Sequence, residues 1–350
     1  MKIRHESFGR TEDLGEVTKF YLENEKGNYA VVTDYGCTIL ELWIADRSGK
    51  RRNVVLGYQS LEEYRSREEF LGACVGRFGG WIKDGRILVG EKAYQLERTD
   101  GKNHLHGGKQ GFDKRLWESR IEGAQVHFSR LSPDGEEHYP GNLKVQISYE
   151  FTEQDELKIH YEAVCDEDTV CNLTNHSYFN LGGEGSGSIY GHELQLHAHM
   201  VQENNEDGIS DLGMFPVEGT VFDFCRPKPI GRDAHEEEIQ LHYGCGYDHN
   251  YYLGSSGKLR EAAVLSCRES GLKMRVWTDQ SGIQLYAGNY LSGYRGRSGA
   301  LYEKHAGVCL EAQYCPSQEQ IREGRLYPLL KAGEKYEYTT IYQFQIGQEE

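Results

Sequence analysis

Val145-Gln146-Ile147-Ser148-Tyr149-Glu150-Phe151 is followed, across Thr152-Glu153-Gln154-Asp155, by Leu157-Lys158-Ile159-His160-Tyr161-Glu162-Ala163. On both sides of the polar break, apolar and polar residues alternate one by one. A period of two puts one set of side chains on each face of a strand, so each run reads as a half-buried strand. The short polar break predicts a hairpin over 149–157. The same alternation returns at Leu272, Met274 and Val276, and at Tyr336, Tyr338, Tyr342 and Phe344. Helical patterning is sparse. Ser60 to Phe70 fits one short helix, with Ser60 as N-cap and Glu63 three residues on, and Ser317 to Glu323 fits another. Neither βαβ spacing nor a glycine-rich strand-to-helix turn occurs, which excludes a doubly wound sheet. The Gly- and Ser-rich stretch from Gly182 to Gly191 reads as a surface loop rather than a linker, because strand-like segments continue on both sides. No internal repeat is found. The expectation is all-β: one large, mainly antiparallel sandwich or barrel over residues 1–350, with a concave face able to take a ligand.

The chain has 39 basic and 55 acidic residues and a formal charge of −16 over 350 residues, which excludes the basic footprint of sequence-independent nucleic-acid binding. With 11 % aromatic residues it carries the groups a packed core needs, so it is not a disordered chain. No run of 18 apolar residues marks a transmembrane helix, and Met1-Lys2-Ile3-Arg4-His5-Glu6 lacks the apolar stretch of a signal peptide. Nine cysteines, none in a C-x-x-C pair, read as buried thiols in a reducing compartment, and the expected location is cytoplasmic.

Five segments place polar groups where strands would otherwise be apolar. In Asn103-His104-Leu105-His106-Gly107-Gly108 the two histidines share a strand face. Such a pair can bind metal, but with no carboxylate at fixed spacing the better reading is one structural histidine and one that meets a polar ligand. Thr174-Asn175-His176-Ser177-Tyr178-Phe179-Asn180-Leu181 is either a satisfied core network or a set of hydrogen-bonding groups for hydroxyls. Gly246-Tyr247-Asp248-His249-Asn250 is either a turn or a carrier of a site carboxylate. Gln284-Leu285-Tyr286-Ala287-Gly288-Asn289 is a plausible strand with an amide and a phenol. In Gly307-Val308-Cys309-Leu310-Glu311-Ala312-Gln313, Glu311 interrupts an apolar strand. Parity leaves open whether it is exposed or buried; burial would raise its pKa and suit it to act as a general base near neutrality. Nothing cradles phosphate and nothing resembles a nucleophilic triad. The set is best suited to proton transfer on a neutral polyhydroxylated ligand.

These segments, in this order, resemble the galactose mutarotase (aldose 1-epimerase) family, from about Asp34 to Phe344. Asn103 to Gly108, with Gly111-Phe112-Asp113 and Trp117, is similar to its LHGG segment. Thr174 to Leu181 is similar to TNHSYFNL, and Phe215-Pro216-Val217 with Phe222-Asp223-Phe224 to PV…FDF. Asp248-His249-Asn250 is similar to DHN, Gln284 to Asn289 to Q-x-Y-x-G-N, and Leu310-Glu311-Ala312-Gln313 with Pro316 to LE-x-Q…P. The resemblance implies a large antiparallel β-supersandwich of the galactose mutarotase type with few short helices. It implies no cofactor and no metal, and interconversion of the α and β anomers of a free neutral aldose. In that reading Glu311 is the base and His176 the acid, while His106, Asp248, Gln284, Tyr178 and Trp81 bind substrate. The expected partner is a small-molecule sugar, without nucleic acid or membrane, and the expected assembly is a monomer or homodimer.

The sequence departs from the family pattern in one place. Where the family has GR-x-ANRI or GR-x-AGRI, this chain has Gly76-Arg77-Phe78-Gly79-Gly80-Trp81-Ile82. Gly80 stands at the Asn position and Trp81 at the arginine, so a guanidinium fork becomes a ring with one N–H. Arg77, Lys83 and Arg86 are near enough in sequence to replace that charge. The departure puts galactose or glucose in question as the preferred sugar. It also defines two rivals, a non-catalytic carbohydrate-binding relative and a hexose-phosphate epimerase.

Overall fold

The computed structural model describes residues 2–347. The hairpin forms where the alternation puts it. Strands Leu143–Phe151 and Glu156–Cys165 pair antiparallel with Phe151 opposite Leu157. The turn closes through Thr152 N–H to Glu156 O, with Asp155 at positive φ. This pair lies inside a nine-stranded sheet whose order runs Glu118–Glu122, Gln125–Ser132, Leu143–Phe151, Glu156–Cys165, Lys335–Ile346, Leu272–Thr278, Arg260–Cys267, Glu193–Leu196, Lys228–Pro229. The two alternating runs at 272–276 and 336–344 are its central neighbours.

A five-stranded meander, Lys2–Thr11 to Arg51–Asn53, and a six-stranded sheet complete the main layers. The six-stranded sheet runs Tyr178–Phe179, Val308–Gln313, Gly282–Tyr286, Asp248–Tyr252, Met200–Glu203, Gly213–Pro216. All three sheets feed one core: Leu22 and Ile39 of the first, Ile147, Ile159 and Tyr342 of the nine-stranded sheet, and Leu285 and Leu310 of the six-stranded sheet are buried together. Phe179 meets Tyr342 at 4.8 Å between ring centroids, and the Tyr342 hydroxyl donates to Leu310 O. Packing at this density is what fixes the position of the strand carrying Glu311.

Three short α-helices occur among the described residues. Leu61–Ser66 is capped by Ser60 with Glu63 in a reciprocal capping box, as its sequence predicts, and Gln318–Arg322 is capped in the same way by Ser317 with Gln320. The first helix stops four residues short of Phe70. Phe70 takes a positive φ, and its ring is drawn to His106 and His176. The third helix, Ile239–Tyr243, carries no apolar periodicity long enough to read in advance; the Glu238 carboxylate holds its first N–H groups. The stretch from Gly182 to Gly191 is a loop with one 3₁₀ turn, Ile189–Gly191.

Candidate active site

The six-stranded sheet sorts its side chains by period two. Val308, Leu310, Ile283, Leu285 and Tyr251 point into the common core. The intervening residues point the other way and form rows across the strands. One row is Tyr178, Cys309, Tyr286, Asp248; the next is Glu311, Gln284, Asn250. Glu311 is therefore buried, at 3 % exposure, and belongs to the polar face. Both of its strand neighbours are buried too, which is why parity alone left its placement open.

That face is the floor of a pocket of about 410 Å³, a size suited to a small ligand. Its lining brings together all seven residues expected from the sequence: Glu311, His176, His106, Asp248, Gln284, Tyr178 and Trp81. His176 Nε2 lies 3.7 Å from Glu311 Oε1, and Glu311 Oε2 is buried without a hydrogen-bond partner among the described residues. Cys309 Sγ lies 3.5 Å from His176 Nδ1. Gln284 Nε2 donates to Asp248 Oδ1 at 2.7 Å. The rings of His106 and His176 meet edge to face at 5.2 Å.

The two histidines expected to share a strand face do not. The strand ends at Leu105, and His106 takes a φ of 50°. Gly107 follows where any Cβ would collide with Gly76 O. This tight turn sends the rings apart. His104 is fully buried between Glu97 O, at 2.7 Å, and the Tyr139 hydroxyl, at 2.6 Å, so it is structural. His106 faces the pocket. Its Nδ1 accepts the Gly80 N–H at 3.1 Å, which leaves the proton on Nε2 as a donor. In the 174–181 segment Asn175 and Asn180 clamp backbone carbonyls, while His176 and Tyr178 serve the pocket.

Burial dominates the electrostatics. It pushes the Glu311 carboxyl well above the usual carboxylate range, and the Asp248 charge adds to the rise. Asp248 is pushed up to about 7 by burial, partly offset by the Gln284 hydrogen bond. Burial lowers His176 to about 4. It also holds His106 well below the ordinary histidine value, helped by His176 and His104. Each group is driven toward its uncharged form, as desolvation demands.

The three basic residues near Trp81 do not refill the pocket with charge. Arg77 is 1 % exposed and is spent on Ser132 Oγ, Ser132 O, Pro133 O and Pro140 O. Lys83 pairs with Asp211 at 2.6 Å, and Arg86 lines a neighbouring cavity. No lysine or arginine lines the pocket among the described residues. The Trp81 indole forms part of the wall, with its N–H donated to Asp100 at 2.8 Å and its ring 6.1 Å from His106. Sequence reasoning missed Phe70, Glu69, Asp100, Tyr290 and Tyr294 as lining residues. Tyr286 and Gln313, quoted only as motif members, also line the pocket; their parity with Gln284 and Glu311 was the signal that places them. The others come from loops, where no period applies.

A model of the aldose 1-epimerase family matches residues 18–343. Galactose mutarotase of Rattus norvegicus is 41 % identical over 335 residues, 95 % of each chain. Aldose 1-epimerase of Escherichia coli (strain K12) is 34 % identical over 329 residues, 92 % of this chain and 94 % of its own. The crystal structure of galactose 1-epimerase from Lactobacillus acidophilus NCFM superposes with a TM-score of 0.84 at 31 % identity, covering 99 % of each chain. The architecture is thus the antiparallel β-supersandwich of these proteins.

Proposed function

Because this chain belongs to the aldose 1-epimerase family, we propose that its pocket interconverts the anomers of a neutral aldose through Glu311 and His176. The chain is an isomerase of the aldose 1-epimerase type; the roles of its residues and its preferred sugar are what we propose here. The observation that carries the assignment is Glu311 Oε2, a buried oxygen on the pocket floor without a hydrogen-bond partner among the described residues, beside a histidine nitrogen 3.7 Å from its sister oxygen.

Burial favours a protonated Glu311 and a neutral His176. That pair is one proton transfer from the carboxylate and imidazolium that ring opening requires. Sugar hydroxyls donated to the carboxylate stabilise the ionised form, so substrate itself readies the base. Glu311 takes the proton of the anomeric hydroxyl, the bond between the anomeric carbon and the ring oxygen breaks, and His176 protonates the ring oxygen. The open aldehyde turns about its first carbon–carbon bond. The ring hydroxyl then attacks the other carbonyl face, returning its proton to His176 as Glu311 protonates the new anomeric oxygen. No net proton is gained or lost.

His106 Nε2–H donates to a sugar oxygen, and Asp248 with Gln284 holds further hydroxyls. Tyr178 and Trp81 offer ring faces to the sugar C–H groups. A pocket with no lysine or arginine among the described residues that line it does not suit a sugar phosphate. We read residues 1–350 as one domain and the assembly as a monomer or homodimer. Cysteines present as free thiols, seven of them buried, support a cytoplasmic setting, and no helix among the described residues is long and apolar enough to cross a membrane.

Magnetisation exchange between α and β anomeric protons, measured by NMR on glucose, galactose, xylose, arabinose and fucose, tests the reading. Acceleration of exchange for at least one sugar supports it. Binding without acceleration for every sugar would make the protein the non-catalytic relative.

A further inference from the structure

The charge around the pocket is one-sided. Five carboxylates line it, those of Glu68, Glu69, Asp100, Asp248 and Glu311, and no lysine or arginine does among the described residues. Three of the five accept hydrogen bonds from neutral donors. Glu69 accepts the Tyr58 hydroxyl, Asp100 the Trp81 N–H at 2.8 Å, and Asp248 the Gln284 amide at 2.7 Å. Glu311 lies beside His176, which burial keeps neutral, and its Oε2 has no hydrogen-bond partner among the described residues. Carboxylates gathered round a cavity without a counter-charge set up a field that draws in a cation and does little for a neutral ligand.

The same wall is aromatic. Trp81, Tyr178, Tyr286, Tyr290 and Tyr294 line the pocket with the carboxylates. Aromatic faces hold a cation through the ring quadrupole, and tryptophan holds it best. The fold already uses one of these rings in this way. The Arg67 guanidinium, which does not line the pocket, stands 5.1 Å from the centre of the Tyr294 ring. The bond from the Trp81 N–H to Asp100 pushes electron density onto the indole and sets a carboxylate at its edge. Tyr290 marks where the charges converge. Burial and then Cys245 push its phenol up, and the Asp248 and Asp100 charges add to the rise, so both carboxylates act on one hydroxyl. Trp81 stands where the family pattern has an arginine. The change removes a cation that would compete for this field and supplies a face that would hold one. A cation there would also favour the ionised forms of Glu311 and Asp248, which burial disfavours.

We propose that protonated amino sugars, aldoses in which a primary ammonium replaces one ring or side-chain hydroxyl, are substrates of this enzyme alongside neutral aldoses and exceed their neutral parents, with the ammonium on the Trp81 face beside Asp100. The proposal rests on the reading of the pocket given above. The test compares kcat/KM for 2-amino-2-deoxyglucose, 3-amino-3-deoxyglucose and 6-amino-6-deoxyglucose with that for glucose, each taken above its spontaneous rate. It is run at about pH 6.5, where such amines are charged, at low salt and in about 0.5 M sodium chloride. Wild type, Trp81→Arg and Asp100→Asn are compared. At least one amino sugar is expected to exceed glucose by about tenfold, the scale of one cation–π contact reinforced by a carboxylate. Salt is expected to shrink that ratio, Asp100→Asn to lower it about threefold, and Trp81→Arg to bring it below that of glucose. Glucose turnover with every amino sugar at or below glucose, or a ratio unmoved by salt or by either variant, would overturn the proposal. Failure of every sugar, neutral or amino, to turn over would overturn the reading of the pocket, and the proposal with it.

Discussion

Replacing Asp248 by asparagine should make the protein more stable at neutral pH while weakening its activity. Asp248 is buried, and its carboxyl is raised from 3.8 to about 7. Below about pH 4 the folded and unfolded chains both hold this proton, and burial carries no ionic penalty. Between about pH 4 and 7 the unfolded chain releases the proton and the folded chain keeps it. The native state then binds more protons, so the contribution of Asp248 to stability falls as pH rises, and it levels off above about 7. At about 1.4 kcal/mol per pH unit, the gap between 3.8 and about 7 amounts to roughly 4 kcal/mol. The amide oxygen of an asparagine in this place would still accept the Gln284 N–H without this penalty. Urea unfolding from pH 4 to 8.5 should therefore show the advantage of Asp248→Asn over wild type growing by up to that amount, and titrating groups that do not interact with Asp248 cancel in the difference. The Asp248 charge also helps raise Glu311. Its removal should move the acid limb of kcat/KM to lower pH. Stability curves that stay parallel, together with an unmoved acid limb, would refute the argument from burial.

His176→Asn should lower kcat by about 10²–10⁴-fold with KM little changed, the usual range for losing a general acid; steady-state kinetics showing an effect on KM alone would make His176 a binding residue. Trp81→Arg should raise kcat/KM for galactose and glucose by roughly tenfold, since a guanidinium beside His106 and Asp100 regains hydrogen bonds to hydroxyls; identical values for the two proteins would count against a role for Trp81 in sugar choice. Arg77→Met should cost roughly 3 kcal/mol in urea unfolding, because Ser132 O, Pro133 O and Pro140 O lose their donor inside the protein. Hexose 6-phosphates should compete with hexoses less well than the free sugars do, as no cation among the described residues lines the pocket; competition that is stronger instead would favour the phosphate-sugar rival.

Legibility in the sequence followed the reach of local periodicity. The strands at 143–151 and 156–165 and their turn could be read because one face is apolar and the other polar. The sheet that carries the site could be read only as motifs, since both of its faces are buried and period two leaves no contrast at Glu311. The pairing of Glu311 with Gln284, and of Gln284 with Asn250, is a long-range register, and it is what turns three separate segments into one floor. The family resemblance supplied His106 over His104, and the positive φ at His106 is the reason the two rings part. Phe70 and Asp100 reach the pocket from loops whose course depends on packing elsewhere, so nothing in their neighbourhood signalled them. The fate of Arg77, held by carbonyls from Ser132 to Pro140, was invisible for the same reason.

The central claim is that Glu311 moves the anomeric proton. Polarimetry of freshly dissolved α-glucose and α-galactose at low buffer concentration tests it most directly, with wild type and Glu311→Gln compared at equal concentration. We expect wild type to speed the approach to equilibrium and the variant to lose about 10²–10⁴-fold of that rate while keeping its fold. A variant that mutarotates these sugars at near the wild-type rate would contradict the account.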